Sequence, residues 1–222
     1  MAAEHSCILH IHTSETRKEV ADCHAEHGMY PVEYLDSIGY FQSADDGGTV
    51  CAHCGWVTKK EMRILAGHEA HAVHCPNSNQ KLACGGTMSY PAMREAGVDV
   101  RLGTDGAASN NSLDMRAEAK VASLIQRHDH WDARILNPVE TWQLATKGSI
   151  DWVTWDLDDI RMRPWGRDGR RLLANLIYSG TRCLDVLVGG QAIRRDGVTV
   201  SIDESRAGSD LEDAVSEYYS KI

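Results

Sequence analysis

The sequence has no long apolar run and no cluster of basic residues, and it contains one phenylalanine and five prolines in 222 residues. No stretch approaches the ~18 apolar residues that a membrane-spanning helix needs. The amino-terminal residues have neither a positive segment nor a long apolar core, so we expect no signal peptide. Lysine and arginine total 23 against 32 acidic residues, and the net charge of −9 argues against nucleic acid or an anionic membrane as a partner. We therefore expect a cytoplasmic protein.

Histidine and tryptophan are distributed unevenly along the sequence. All 11 histidines lie at or before His130, whereas five of the six tryptophans lie at or after Trp131. This change in composition indicates a boundary near residue 130. The seven cysteines are an odd number without a secretory context, so we expect reduced thiols and no disulfide framework.

The order of the predicted elements indicates a parallel α/β architecture before this boundary. Four short strands are each followed by a helical segment. The predicted strands are residues 7–13, 49–54, 71–75 and 98–103, and the predicted helices are residues 15–27, 29–38, 58–67, 89–96 and 113–126. Beyond the boundary we expect a helix at 137–146, strands at 150–157, 183–188, 191–194 and 198–202, and a final helix at 210–220. The last three strands, separated by glycine-containing turns, indicate a small β-rich piece.

A group of potential metal ligands ends the first predicted strand, where His10, His12 and Glu15 follow one another. Residues two apart on a strand face the same side, so both imidazoles point one way. The carboxyl ends of barrel strands carry catalytic groups, and there a histidine is a good zinc ligand and a nearby carboxylate transfers protons. The histidine pair alone is a weak signal, because most such pairs bind no metal.

A second group follows the fourth predicted strand, where residues 103–111 have the sequence GTDGAASNN. Asp105 ends the strand, and the small residues and the serine–asparagine cap place a helix N-terminus beside its carboxylate. Many proteins use a capped turn of this kind. Nine residues in this particular order are improbable for an ordinary turn, so we interpret the segment as a functional loop. The polar segment at 76–82, after the third strand, is interpreted as a loop whose turn is stiffened by Pro76.

His53 lies between Cys51 and Cys54 at the end of the second predicted strand. The two cysteines alone suggest a redox motif or a zinc knuckle. A zinc knuckle needs a second pair at similar spacing, and Cys75 and Cys84 are nine residues apart. We therefore interpret Cys51 and Cys54 as buried strand thiols that flank a functional histidine.

Four segments in this order resemble the amidohydrolase superfamily: HIHTSET, AHC, HCPNSNQKLACG and GVDVRLGTDGAASNNSLDM. The resemblance covers residues 5–202 and is to the branch of 5′-methylthioadenosine/S-adenosylhomocysteine deaminases and triazine hydrolases. It implies a distorted (β/α)8 barrel that holds one divalent metal ion, zinc or iron. It also implies a hydrolase of non-peptide carbon–nitrogen bonds that deaminates a purine nucleoside-like or aminotriazine-like heteroaromatic amine.

The resemblance assigns roles to individual residues. His12 and Asp105 match the metal ligands of the fifth and eighth barrel strands. Glu15 matches the substrate-binding carboxylate that protonates the heteroaromatic ring nitrogen. His53 matches a catalytic histidine beside the attacking water, and Ser109 matches a polar group near the substrate. In this scheme Asp105 takes a proton from a water of lowered pKa, and Glu15 protonates the ring before ammonia leaves.

The sequence departs from the family pattern in two places. It has no earlier strand with the first-strand histidine pair, and the stretch before the β-rich piece is shorter than in the family. His10 and His12 are an alternative match to that pair, but the glutamate that follows and the 93-residue distance from His12 to Asp105 favour the fifth strand. We therefore expect residues 1–147 to form the C-terminal half of the barrel, strands five to eight. Residues 148–222 are expected to form a β-rich sandwich remnant with a C-terminal helix.

A catalytic zinc needs at least three good ligands, and only His12 and Asp105, with His53 nearby, remain here. The competing interpretation is therefore a non-catalytic remnant that binds or assembles without turnover. The chain would then be a fragment of a longer reading frame, a degraded gene product, or a half-barrel whose open edges a partner such as a second copy covers. We expect the isolated chain to bind zinc or iron weakly and to show little deaminase activity.

Overall fold

The computed structural model describes residue 5 and residues 7–43, 48–147 and 151–221. The chain divides into two compact units, Met1–Lys147 and Gly148–Ile222, and each is described here by itself. In the described part of the chain, no helix combines the length and apolarity needed to cross a bilayer.

The first unit is built on a parallel sheet of four strands. The strands are β1 (Leu9–Thr13), β2 (Thr49–His53), β3 (His71–His74) and β4 (Asp99–Leu102), paired in the order β1-β2-β3-β4. The prediction of four neighbouring parallel strands in chain order is confirmed. Parallel pairing of consecutive strands brings all four carboxyl ends to one edge of the sheet, where barrel chemistry is sited.

Helices connect and cover these strands. They are α1 (Arg17–His27), α2 (Pro31–Ser37), α3 (Lys59–Gly67), α4 (Pro76–Lys81), α5 (Tyr90–Ala96), α6 (Ala107–Asn110), α7 (Met115–His130) and α8 (Pro138–Thr146). Helix α4 corrects the sequence interpretation, which made residues 76–82 a loop. Pro76 occupies the first turn of α4, where its fixed φ suits a helix and its missing N–H costs no hydrogen bond.

Helix caps explain where two of these helices begin. The Thr16 hydroxyl accepts a hydrogen bond from the backbone N–H of Glu19, and the Glu19 carboxylate accepts one from the backbone of Thr16. Thr58 and Glu61 form the same reciprocal pair at α3. Such capping boxes satisfy N–H groups that the first helical turn would leave unpaired.

The core of the first unit lies between the sheet and its helices. Its fully or nearly fully buried apolar residues include Val32, Leu65, Met93, Val100, Ala122 and Leu136. Glu61 is buried among them, and its carboxylate accepts hydrogen bonds from the backbone N–H groups of Val32 at 3.0 Å and Thr58 at 2.7 Å. These hydrogen bonds give both carboxyl oxygens partners, so α3 can pack this polar residue inward although burial raises the pKa of Glu61.

Leu65→Ala is expected to lower the free energy of unfolding of this unit by about 2–5 kcal/mol, because the lost side chain leaves a cavity in a packed core. Leu65 is 0% exposed, whereas Leu113 is 66% exposed. Leu113→Ala is the control, with an expected change below about 0.5 kcal/mol. Urea denaturation followed by circular dichroism measures both variants. Equal, small changes would contradict the core position of Leu65.

The second unit contains an antiparallel sheet and two helices. Its strands are β5 (Trp152–Trp155), β6 (Cys183–Val188), β7 (Gln191–Arg195) and β8 (Val198–Thr199), paired in that order. Its helices are α9 (Gly169–Tyr178) and α10 (Glu204–Tyr219). The predicted strand at 150–157 is observed within its described part, while residue 150 lies outside the described residues.

Two helices of the second unit differ from the sequence prediction. Helix α9 was not predicted, although Asp168 caps it and Leu176 and Ile177 are buried on one side of it. Helix α10 begins at Glu204, not at residue 210, because the carboxylate of Asp203 caps it by accepting from the backbone of Arg206. In both cases an aspartate N-cap was the available signal.

Candidate active site

The candidate site lies at the carboxyl ends of β1 to β4. Four non-glycine residues there have left-handed backbone conformations: Ser14 (φ 52°), His53 (φ 74°), Cys54 (φ 49°) and Asp105 (φ 58°). The left-handed conformation is energetically unfavourable for a non-glycine residue. It persists where the surrounding structure holds it, and such places are often functional sites. The chain thus turns sharply after three of the four strands and directs side chains toward one edge.

Three potential ligands converge at this edge. One ligand atom each of His12, Glu15 and His53 lies within 4.8 Å of the others. The ring centroids of His12 and His53 are 4.6 Å apart with the rings nearly perpendicular, and Nε2 of His53 is 3.9 Å from Oε2 of Glu15. Three residues that the sequence analysis selected on two different strands therefore form one cluster.

A hydrogen bond at Nδ1 orients the ring of His53. Its side chain is completely buried, and Nδ1 lies 2.8 Å from Oδ1 of Asn79, which can only accept. Nδ1 therefore donates a hydrogen bond to Asn79, and in the neutral ring Nε2 is the nitrogen with the free electron pair. Nε2 is buried and has no hydrogen-bond partner among the described residues. A neutral imidazole held in this tautomer is the form that binds a metal ion or accepts a proton from water.

The backbone of Glu15 is held by the cap of α1. Oε1 of Glu19 accepts from the Ser14 N–H at 2.6 Å, and Oε2 accepts from the Glu15 N–H at 2.8 Å. The capping box that starts the helix therefore also determines the backbone position from which the Glu15 side chain extends. The Glu15 carboxylate is 21% exposed, so it is shielded but still reachable.

Asp105 lies beside this cluster and not among its three members. Its Oδ2 accepts from the hydroxyls of Ser78 at 2.5 Å and Ser109 at 2.7 Å. Burial raises the pKa of Asp105, but these two hydrogen bonds together with the Gly106 N–H and the nearby His53 outweigh it and bring the pKa down to about 2. Asp105 is therefore an anion at neutral pH. That it shares one ion with His12 stays a prediction.

A buried carboxylate supports the loop around Asp105. Glu118 on α7 is fully buried, and Oε1 accepts from Nδ2 of Asn77 at 2.8 Å and from Nδ2 of Asn110. It thereby joins the start of α4 to α6, the two segments that carry Ser78 and Ser109. Sequence reasoning missed Glu118, Ser78 and Asn79; a carboxylate on the buried side of an amphipathic helix was the one available signal.

The cysteines near His53 are protonated thiols. Cys51 and Cys54 are completely buried, and burial raises the pKa of Cys51 to about 12 and that of Cys54 well above its usual range. The structure pairs none of the seven cysteines in a disulfide, and the reduced state of the thiols stays a prediction. Cys51 and Cys54 are not part of the ligand cluster found among the described residues, which agrees with their interpretation as buried strand thiols.

The stability of the first unit is expected to fall between about pH 6.5 and pH 4. Burial, with a smaller contribution from His53, lowers the pKa of His74 to about 4. A histidine in the unfolded chain titrates near 6.5, so in this window the unfolded state binds a proton that the folded state does not. Such a group destabilises the fold as the pH falls, by on the order of 3 kcal/mol at pH 4.

His74→Gln tests this pH dependence, because glutamine has no titrating group here. Urea denaturation at pH 7 and pH 4 gives the loss of unfolding free energy for the parent and the variant. We expect the loss to be larger in the parent by about 3 kcal/mol. Equal losses would show that His74 does not contribute to the pH dependence.

A family model for the amidohydrolase family matches residues 1–154. The chain belongs to the amidohydrolase family. It is 35% identical over 218 residues to 5-methylthioadenosine/S-adenosylhomocysteine deaminase 1 of Archaeoglobus fulgidus, covering 92% of this chain and 51% of the relative. It is 37% identical over 223 residues to a deaminase of the same description from Bacillus cytotoxicus, covering 93% and 50%. The chain thus spans about half the length of the curated relatives it matches.

Solved structures of the family share the fold. An adenosine deaminase from Xanthomonas campestris with bound zinc superposes with a TM-score of 0.88 at 28% identity, over 99% of this chain and 52% of that one. An atrazine chlorohydrolase from Arthrobacter aurescens complexed with zinc gives 0.81 at 21% identity, over 96% and 49%. At the lower identity the match shows the fold alone.

Proposed function

We propose that this amidohydrolase carries the metal-binding and proton-transfer residues of a hydrolytic deaminase. The substrate class is a small heteroaromatic amine, purine nucleoside-like or aminotriazine-like. The observation that carries the proposal is the buried Nε2 of His53, which has no partner among the described residues and faces the His12 ring and the Glu15 carboxylate. Leaving a buried polar atom unpaired costs about 1–3 kcal/mol, a cost that a functional ligand or water would offset. The deaminase names of the relatives support the same chemistry.

The donor set fits a divalent metal, zinc or iron. Imidazole nitrogens and carboxylate oxygens are ligands that zinc accepts, and a catalytic site uses three of them and keeps one position for water. His12 and Asp105 would hold the ion, and Nε2 of His53 would be a third ligand or would hold the attacking water. When bound, the metal supplies a water whose pKa is lowered toward neutrality.

Asp105 and Glu15 then carry out the two proton transfers. The Asp105 carboxylate, an anion at neutral pH, accepts a proton from the attacking water. Glu15 donates a proton to the ring nitrogen next to the amine-bearing carbon, which makes that carbon more electrophilic. The water oxygen forms a bond to that carbon, the carbon–nitrogen bond breaks, and the departing amine takes the proton that Asp105 accepted and leaves as ammonia. Ser109 holds Asp105 through its hydroxyl and contacts the substrate from the same side of the site.

We also propose that β1 to β4 correspond to the fifth to eighth strands of an eight-stranded barrel. The support is the superposition, which covers 99% of this chain but 52% of the zinc-bound relative. Strands β1 and β4 end the sheet on its two sides, and exposed strand edges invite pairing with another chain. A second copy of the chain is one partner able to cover these edges, and sedimentation velocity would detect the dimer.

The purified chain, loaded with zinc, tests the proposed activity. Metal content is measured by elemental analysis, and ammonia release is assayed with 5′-methylthioadenosine, S-adenosylhomocysteine and aminotriazines. We expect less than one zinc per chain and slow ammonia release that a chelator abolishes. Absence of zinc-dependent release would favour the non-catalytic remnant. Full zinc occupancy with fast turnover would support a deaminase but show that the metal ligands are misassigned.

A further inference from the structure

We propose that the thiol of Cys84 positions Glu15, a role that rests on the proposed function of that carboxylate. Sγ of Cys84 donates to Oε1 of Glu15 at 3.4 Å, across 69 residues of sequence. The other oxygen, Oε2, is the one that lies 3.9 Å from Nε2 of His53. The two oxygens of one carboxylate thus have separate partners, and the thiol contact determines which oxygen faces the candidate metal ligands.

The backbone N–H and the backbone carbonyl of Cys84 both make hydrogen bonds. Its backbone N–H donates to the carbonyl of Asn79 at 3.0 Å, and its carbonyl accepts from Nε1 of Trp56 at 3.1 Å. Its side chain is buried, with 8% of the residue exposed. Asn79 also accepts the Nδ1 proton of His53 through its side chain, so one residue orients the histidine and anchors the loop that carries the thiol.

The loop around Cys84 packs too closely to move freely. A Cβ atom added to Gly86 would lie 2.5 Å from Nε1 of Trp56, so only glycine allows the indole to reach the Cys84 carbonyl. The backbone N–H of Trp56 in turn donates to the carbonyl of Ser14 at 3.1 Å, next to Glu15. Trp56 therefore makes hydrogen bonds to both segments, the one that carries the thiol and the one that carries the carboxylate.

Misalignment of a reacting group slows its reaction, by up to about a hundredfold for a displacement of about 1 Å. A thiol is a weak donor, so it orients the carboxylate without removing its ability to exchange a proton at Oε2. We therefore expect Cys84→Ala to lower kcat for ammonia release about tenfold with little change in KM. Cys84→Ser, which keeps a donor at the same position, should restore most of kcat.

Infrared spectroscopy provides a readout that does not depend on turnover. The S–H stretch of Cys84 is isolated as the difference between the spectra of the parent and Cys84→Ala. We expect it at lower wavenumber than the S–H band of Cys51, and we expect it to move to higher wavenumber in Glu15→Gln, because the charged acceptor is lost. Cys51→Ala, which removes a buried thiol with no Glu15 contact among the described residues, is the control for kcat.

The outcomes separate this inference from the proposed function. A band that does not shift in Glu15→Gln overturns the inference, and so does a kcat that is unchanged in Cys84→Ala while the parent is active. If no variant releases ammonia, the proposed function fails, and the infrared shift alone decides whether Cys84 orients Glu15. Thermal denaturation by circular dichroism verifies that Cys84→Ala and Cys84→Ser are folded.

Discussion

Glu15→Gln is expected to lower zinc-dependent ammonia release by about a hundredfold to ten-thousandfold, the range for losing a positioned general acid. Glutamine has the size of glutamate and keeps an oxygen that can accept from Cys84, but it cannot transfer a proton to the ring nitrogen. Zinc affinity, measured by competition with a chromogenic chelator, should remain that of the parent, because Glu15 is assigned to proton transfer and not to metal binding.

Glu26→Gln is the matched control for this prediction. Glu26 lies on α1 with its carboxylate 75% exposed and is not a member of the ligand cluster. Its substitution changes the net charge by the same amount and should leave ammonia release unchanged. Retained activity in Glu15→Gln would contradict the assignment of Glu15, and a large loss of zinc in that variant would make Glu15 a metal ligand.

His12→Asn is expected to weaken zinc binding by about a hundredfold or more. Replacing outer partners of metal ligands already costs about 10- to 100-fold in affinity, so removing a ligand should cost at least the upper value. The measurement is a zinc titration against a competing chelator at pH 7.

His10→Asn provides the control on the same strand. His10 lies two residues before His12 on β1, with ring centroids 6.2 Å apart, and it is not in the cluster of ligand atoms. We expect zinc affinity within about threefold of the parent, since no ligand is removed. Equal losses in both variants would instead support the alternative in which His10 and His12 are a ligand pair of another barrel strand.

The sheet of the first unit could be predicted because its strands are short and each is followed by a helix. This pattern leaves few topologies once consecutive parallel strands are joined by right-handed crossovers. Helix α4 was missed because the segment after Pro76 is polar throughout and has no apolar periodicity. Only the proline at its first turn indicated a helix, and the same residue is also common in turns.

The candidate site could be predicted where its residues directly follow strands. His12, Glu15 and His53 were selected for this reason, and they lie together. The groups that orient them could not be found in this way, because Asn79 is 26 residues from His53 and Cys84 is 69 residues from Glu15. Their partners depend on how α4 and its following loop fold back over β2, which no local pattern records.

A crystal of the chain soaked with zinc tests the central claim most directly. Anomalous scattering at the zinc absorption edge locates the ion without reference to activity. We expect one peak at the carboxyl edge of the sheet, about 2.0–2.1 Å from a ring nitrogen of His12. Asp105 and Nε2 of His53 should be directed toward it. A peak at Cys51 and Cys54, or no zinc peak near His12, would contradict it.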